Sequence, residues 1–194
     1  MLHVASGCGQ STIVDYLLKN GAKPNQIDLV NFFKILFVYY IKGFFLNKRT
    51  SLHYAVQFGD DECVNMLIDA GANVKAEDAS RFTALHLAAN RGDLSKCRIL
   101  LDHGAKIDVI DDTGATPLHW AVTVQNQEVV EFLLSRGARN DLQDSIGRTP
   151  LHIAYYFENR PIIQVLLDNR ADLSITDVCL IYNFRIWVES LMNA

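Results

Sequence analysis

Proline and cysteine are both scarce in this chain, four of each among 194 residues. The cysteines, Cys8, Cys63, Cys97 and Cys179, form neither a CxxC pair nor a dense framework. That pattern argues against a disulfide scaffold and suits reduced thiols in an intracellular protein, cytoplasmic or nuclear. There is no basic excess either: Lys and Arg number 18 against 22 Asp and Glu, a net charge of -4. Nothing here attracts a phosphate backbone, and nucleic acid is not an expected partner. Also missing is an unbroken apolar run of about 20 residues, the length a bilayer core demands. The richest stretch, FFKILFVYYIKGFF from Phe32 to Phe45, is too short and is broken by Lys34, Lys42 and Gly43. The opening LHVASGCGQST lacks the basic start and apolar core of a secretory leader. What is present is ordinary for a soluble domain or a short repeat array: 49% apolar and 21% charged residues.

Self-similarity is the main signal. TSLHYA begins at Thr50, TALHLA at Thr83, TPLHWA at Thr116 and TPLHIA at Thr149, so His53, His86, His119 and His152 recur every 33 residues. Each copy closes on a second pattern: GAN at Gly71, GAK at Gly104, GAR at Gly137 and RAD at Arg170. A partial copy with LHVA at Leu2 and GAK at Gly21 precedes them, and His3 stands 50 residues before His53, which is 17 more than the period. The aromatic stretch fills that excess. Asp28 takes the place of Asp78, Asp111 and Asp144, and the repeat resumes near Arg49.

The shared letters have physical roles. Thr caps a helix start, and Pro suits the first turn, where its missing N–H would have no partner. Leu118 and Ala121 then fall one turn apart on a single face. The stretch EVVEFLLSRG from Glu128 puts Val129, Val130, Leu133 and Leu134 on one stripe and ends on Gly137, which tolerates a left-handed cap. Aligning the copies gives three apolar columns: Val14, Val64, Cys97, Val130, Ile163; Leu17, Leu67, Leu100, Leu133, Leu166; and Leu18, Ile68, Leu101, Leu134, Leu167. One helix pair could not bury such a stripe, whereas stacked neighbours can.

With these residues in view, the chain resembles the ankyrin repeats, whose period and TPLHxA signature it carries over about nine-tenths of its length outside the insert. The resemblance implies an all-α solenoid of helix-turn-helix units with projecting loops or short β-hairpins. It divides the chain into a partial first repeat (1–30), an aromatic insert (31–48), repeats at 49–82, 83–115, 116–148 and 149–177, and a degenerate repeat or C-terminal cap (178–194). Four departures stand out. Met1 replaces Pro and removes the first cap; Lys48 and Arg81 replace the turn Gly; Arg170 replaces the helix-ending Gly; and the pattern is lost after Asp177. A left-handed Arg170 costs about 1–2 kcal/mol, so a less sharp end to the fifth repeat is expected.

Chemistry finds little support. SGCGQST, Ser6 to Thr12, imitates a phosphate-binding loop, but Gln10 stands at the Lys position, Val4 at the first Gly, and no strand precedes it. Five of the six histidines share one repeat position. Stacked helices lie about 8–10 Å apart while zinc ligands approach to about 2 Å, so these five cannot share an ion. They are read as structural, neutral groups. No Ser or Cys is tied to a His and an acid, and catalytic, cofactor and metal residues are all expected to be none.

Recognition is the better fit, because residues free of core duty vary and repeat proteins bind through extended surfaces. The positions four and five after each histidine disagree between copies, and the resemblance places them on the concave face: Gly7 and Cys8, Gln57 and Phe58, Asn90 and Arg91, Thr123 and Val124, Tyr156 and Phe157. The projecting tips would be Ala79 to Phe82, Asp112 to Ala115 and Ser145 to Arg148, of which Asp112 and Thr113 are taken as partner contacts. Phe58, Arg91, Tyr156 and Phe157 are of types that anchor interfaces. The expectation is a monomeric, non-enzymatic module that binds a protein and no small-molecule substrate, with membrane association disfavoured. The alternative is the ankyrin segment of a larger enzyme, channel or membrane-associated adaptor. For the insert three readings compete: an arm that grips a partner or covers the first repeat, a membrane-surface element, or the in-frame translation of a short A/T-rich intron. Its richness in Phe, Ile, Lys, Asn and Tyr and its interruption of an otherwise regular period favour the third, and the abrupt start and the lost pattern after Asp177 fit a fragmentary gene sequence.

Overall fold

The computed structural model describes residues 1–26 and 48–175. The core of the aromatic insert and the expected C-terminal cap lie outside the described residues. Ten helices are found among those described: α1 (Leu2–Gly7), α2 (Ser11–Lys19), α3 (Ser51–Phe58), α4 (Asp61–Asp69), α5 (Ala84–Arg91), α6 (Leu94–Asp102), α7 (Pro117–Thr123), α8 (Gln127–Ser135), α9 (Pro150–Tyr156) and α10 (Arg160–Asp168). They form successive helix-turn-helix pairs. The fold is all-α and stacked, and no strand occurs among the described residues.

The first helix of each pair starts where Thr and His cooperate. The Thr116 hydroxyl accepts from His119 N at 3.4 Å and lies 2.8 Å from His119 Nδ1, while Thr116 N donates to the same Nδ1 at 3.1 Å. Reciprocal boxes also open α3 at Thr50 and α9 at Thr149. Two orphan amides are thereby satisfied at each start. Met1 has no such side chain, and α1 begins without a side-chain cap. The second helices use short polar caps: Asp60, Asn126 and Asn159 accept from Cys63, Val129 and Ile162 N at 2.8, 3.0 and 3.2 Å.

The C-terminal ends correct one expectation. After α8, Gly137 sits at φ 88° and Ala138 N reaches back to Leu133 O at 3.0 Å. After α10, Arg170 adopts φ 62°, and Ala171 N reaches Leu166 O at the same 3.0 Å. The fifth repeat therefore ends as sharply as the fourth. The returning hydrogen bonds, worth about 1 kcal/mol each, offset a left-handed cost of about 1–2 kcal/mol. Lys48 and Arg81 likewise take positive φ, 50° and 59°, where Gly114 and Gly147 do so in other copies.

The described chain divides into two compact units. The first comprises Met1–Ala88 and Ser95–Lys106. Within it α1 packs on α3 and α2 on α4. Val14, Val64, Leu67, Cys97 and Leu100 are fully buried. Two bonds show how the stack passes the insert. His53 Nε2 reaches Phe82 O at 3.1 Å, 29 residues on, and His3 Nε2 reaches Arg49 O at 3.2 Å, 46 residues on. The difference of 17 is the excess over the period, so the first two repeats stack in register on either side of the added residues. Asn25 reinforces this by accepting from Asn73 N at 2.6 Å and donating to Gly71 O at 2.9 Å.

The second unit comprises Ala89–Leu94 and Ile107–Ala194, with α7 packed on α9 and α8 on α10. Val130, Leu133, Ile163 and Leu166 are fully buried, and so are Val129 and Ile162 one position earlier. The third apolar column is weaker than the sequence pattern implies: Leu134 is buried, but Leu18, Ile68, Leu101 and Leu167 are only half-buried. It flanks the core because a helix stripe two columns wide already fills the space against its neighbour.

Candidate functional site: a groove beside α7 and α9

The loops ahead of the first helices are organised by buried carboxylates. In the second unit Asp111 Oδ1 accepts from Thr113 N, Thr113 Oγ1 and Ala115 N at 2.8, 2.6 and 3.0 Å. Asp144 Oδ1 accepts from Ile146 N and Arg148 N at 3.1 and 2.9 Å. This is the local hydrogen bonding for which Asp is favoured in turns. Each loop closes with one narrow backbone pair, Asp111 N to Ala115 O at 3.0 Å and Asp144 N to Arg148 O at 2.9 Å. The described tips are thus loops, and Ser145 N joins them by donating to Thr113 O at 2.8 Å.

The outer oxygens are satisfied differently, and the difference shapes the groove. At the end of the second loop stands Arg148, whose Nε and Nη2 both reach Asp144 Oδ2 at 2.8 Å. At the end of the first stands Ala115, whose methyl side chain carries no donor. Trp120, on the first helix, takes over by donating from Nε1 to Asp111 Oδ2 at 2.8 Å. The indole is thereby fixed against the loop. Between it and α9 lies a groove of about 250 Å³, walled by Thr113, Ala115, Trp120 and Thr123 on one side and by Arg148, Ile153, Tyr156 and Phe157 on the other. Tyr156 is 77% and Phe157 39% exposed, their rings meeting edge to face with centroids 5.2 Å apart. An open aromatic pair beside a fixed indole is costly to leave in water and useful to a partner.

The histidine at the base of the groove is structural. His119 accepts from Thr116 N at Nδ1, so its proton sits on Nε2, which donates to Arg148 O at 3.0 Å. Burial holds its pKa below the ordinary histidine range. In the first unit His53 makes the equivalent pair of bonds, and burial brings its pKa down to about 4. Ring nitrogens spent in this way cannot ligate a metal without breaking the helix start. Among the described residues no group of His, Cys, Asp or Glu is arranged to hold an ion. The buried Cys63 thiol is pushed up to about 12, chiefly by desolvation, which removes it as a nucleophile at neutral pH. Ser6, from the stretch that imitates a phosphate loop, is buried and donates its hydroxyl to Leu2 O at 2.7 Å inside α1.

Of the residues singled out from the sequence, Thr113, Thr123, Tyr156 and Phe157 line the groove together. Val124 and Asp112 are exposed but do not line it, and the same holds for Arg91, with Asn90 half-buried beside it. Gln57 and Phe58 belong to the other unit. There Gln57 Oε1 accepts from Arg49 Nη1, and Phe58 is 49% exposed. The spacing rule missed Trp120 and Ile153, whereas Arg148 closes one of the tips, 145–148, expected to project. A signal existed for the first two: they fill the variable position of LHxA, which also reads Val4, Tyr54 and Leu87.

Three family profiles match the chain. A profile of three ankyrin repeats covers residues 52–144, one of many ankyrin repeats covers 125–167, and that of a single ankyrin repeat covers 1–29. The chain is an ankyrin repeat protein. No match is found among the curated proteins. Ankyrin repeats are generally protein–protein interaction modules and are typically non-enzymatic. Among the described residues of these repeats, no helix is long and apolar enough to cross a membrane.

Proposed function

We propose that this ankyrin repeat protein is a non-enzymatic module that binds a protein partner through the α7–α9 groove and the adjoining loop tips. The observation that carries the reading is the juxtaposition of Trp120, Tyr156 and Phe157 around an open groove whose walls are fixed by buried hydrogen bonds. A rigid aromatic pocket with a polar rim is the form in which a few residues supply most of an interface's affinity. Asp112 and Thr113 at the tip and Val124 beside the groove supply the rim, and Asn90 and Arg91 extend the surface. Phe58 and Gln57 provide a contact of the same kind on the other unit. The reading has the protein act as a monomer inside the cell, without cofactor, metal or small-molecule substrate.

The test is capture of native partners by the wild-type chain and by Tyr156→Ala, with Phe58→Ala run separately. A tyrosine this exposed contributes little to folding, so its loss reports on binding. The expected result is at least a tenfold drop in recovery with Tyr156→Ala, equivalent to about 1.4 kcal/mol, the threshold region of a hot spot. Equal recovery by both proteins would remove the groove from the interface.

A further inference from the structure

Three loop carboxylates lie beneath the first helices, and two of them have a guanidinium. Asp78 Oδ2 faces Arg49 Nε at 3.0 Å, and Asp144 Oδ2 faces Arg148. Asp111 is different. It is 1% exposed, and it is matched by four donors, Thr113 N, Thr113 Oγ1, Ala115 N and Trp120 Nε1, none of which carries a full positive charge. Hydrogen bonds make such a carboxylate tolerable inside a protein without cancelling its charge. Trp120, whose Nε1 lies 2.8 Å from Asp111 Oδ2, also lines the groove, so this carboxylate stands just behind the groove wall.

The groove in front of that indole has the matching character. Trp120 and Tyr156 offer aromatic rings, whose faces carry the negative end of their quadrupoles. The positive charge of Arg148 is offset by Asp144 at 2.8 Å. Asp112 adds an exposed negative charge at the tip. With Asp144 and Arg148 paired, Asp111 behind the wall and Asp112 at the adjoining tip leave these four residues net negative beside the groove. A volume of about 250 Å³ holds one long side chain and no more. We propose that the groove receives a basic side chain, arginine or lysine, from an extended partner segment, its alkyl stem along Ile153 and its cation over the rings of Trp120 and Tyr156. This rests on the reading above that the groove is the docking face, and it names the chemistry that face selects.

Two short labelled peptides test it, alike except at one leucine-flanked central position, arginine in one and norleucine in the other. Each is titrated against the wild-type chain and Tyr156→Ala by fluorescence anisotropy, at low and at high salt. Circular dichroism melts confirm that the variant is folded. The expected result is that wild type binds the arginine peptide roughly tenfold more tightly, as a desolvated cation–π contact allows. That preference shrinks with added salt and is lost in Tyr156→Ala. If norleucine binds as well as arginine or better, and Tyr156→Ala weakens both, the groove is a docking face but the selection of a cation is wrong. If neither peptide binds, or Tyr156→Ala binds both as wild type does, the docking face fails and this inference with it.

Discussion

His53 shows at the residue scale how a single buried side chain ties helix capping, stacking and pH dependence together. Its Nδ1 accepts from Thr50 N at 3.1 Å and its Nε2 donates to Phe82 O at 3.1 Å, so the neutral tautomer closes one repeat and grips the next. Protonation would set a second N–H against the Thr50 amide and leave a charge in the core. The folded pKa of about 4 lies below the ordinary 6.5. Between those two values the unfolded chain binds more protons than the folded one. The stabilisation is therefore complete above about pH 6.5 and is lost as pH falls toward 4. A shift of this size corresponds to about 3 kcal/mol. Urea unfolding of the wild type should lose at least that much between neutral pH and pH near 4, since burial lowers His119 as well, while His53→Gln, less stable at neutral pH, should show a flatter profile over the same window. Profiles that run parallel would mean that other groups govern acid sensitivity.

At the scale of the element, the loop and helix around Trp120 are mutually dependent. The indole N–H is the outer donor to a carboxylate that water does not reach. Trp120→Phe keeps the ring in place but leaves Asp111 Oδ2 with one donor fewer, which should cost about 1–3 kcal/mol in chemical denaturation. Trp120→Phe combined with Asp111→Ala is not expected to recover the loss, because Oδ1 also holds three donors of the tip. Where the first helices of the later repeats begin was legible in the sequence, since Thr and, in two copies, Pro occupy fixed places and their capping chemistry is local; the Asp and Asn caps of the second helices emerge from the structure. The two inner apolar columns were legible from their helical spacing, and all their members except the half-buried Leu17 are fully buried. The third column was not, because its burial depends on how far a neighbouring helix reaches over it. Nor was the sharp end at Arg170 foreseen, since the returning bonds that offset its strain are invisible in a propensity. The groove itself was half legible. Tyr156 and Phe157 follow from variation at the helix end and Arg148 from the tip it closes, whereas Trp120 joins them because Ala115 brings no side-chain donor to Asp111 and the indole supplies it.

For the molecule as a whole, the question is what the added segment does to the repeats it separates. The bonds from His3 to Arg49 and from Asn25 to Asn73 place the first and second repeats in the same relation as contacts elsewhere in the chain that have nothing inserted between them. Repeat stability is a sum of unit and nearest-neighbour terms, so a segment that leaves the interface intact contributes mainly through chain closure. Closure entropy varies only with the logarithm of loop length, and removing 17 residues changes it by less than about 1 kcal/mol. A chain lacking residues 31–47 should therefore fold, melt within a few degrees of the intact protein or slightly above it, and keep amide protection at Val14 and Val64 in hydrogen exchange. Loss of protection at Val14 alone would show that the segment holds the first repeat in place. In that case the regularity of the period would be preserved by contacts from the segment itself rather than by the helix faces, and the two repeats would not be the self-sufficient neighbours that their shared register makes them.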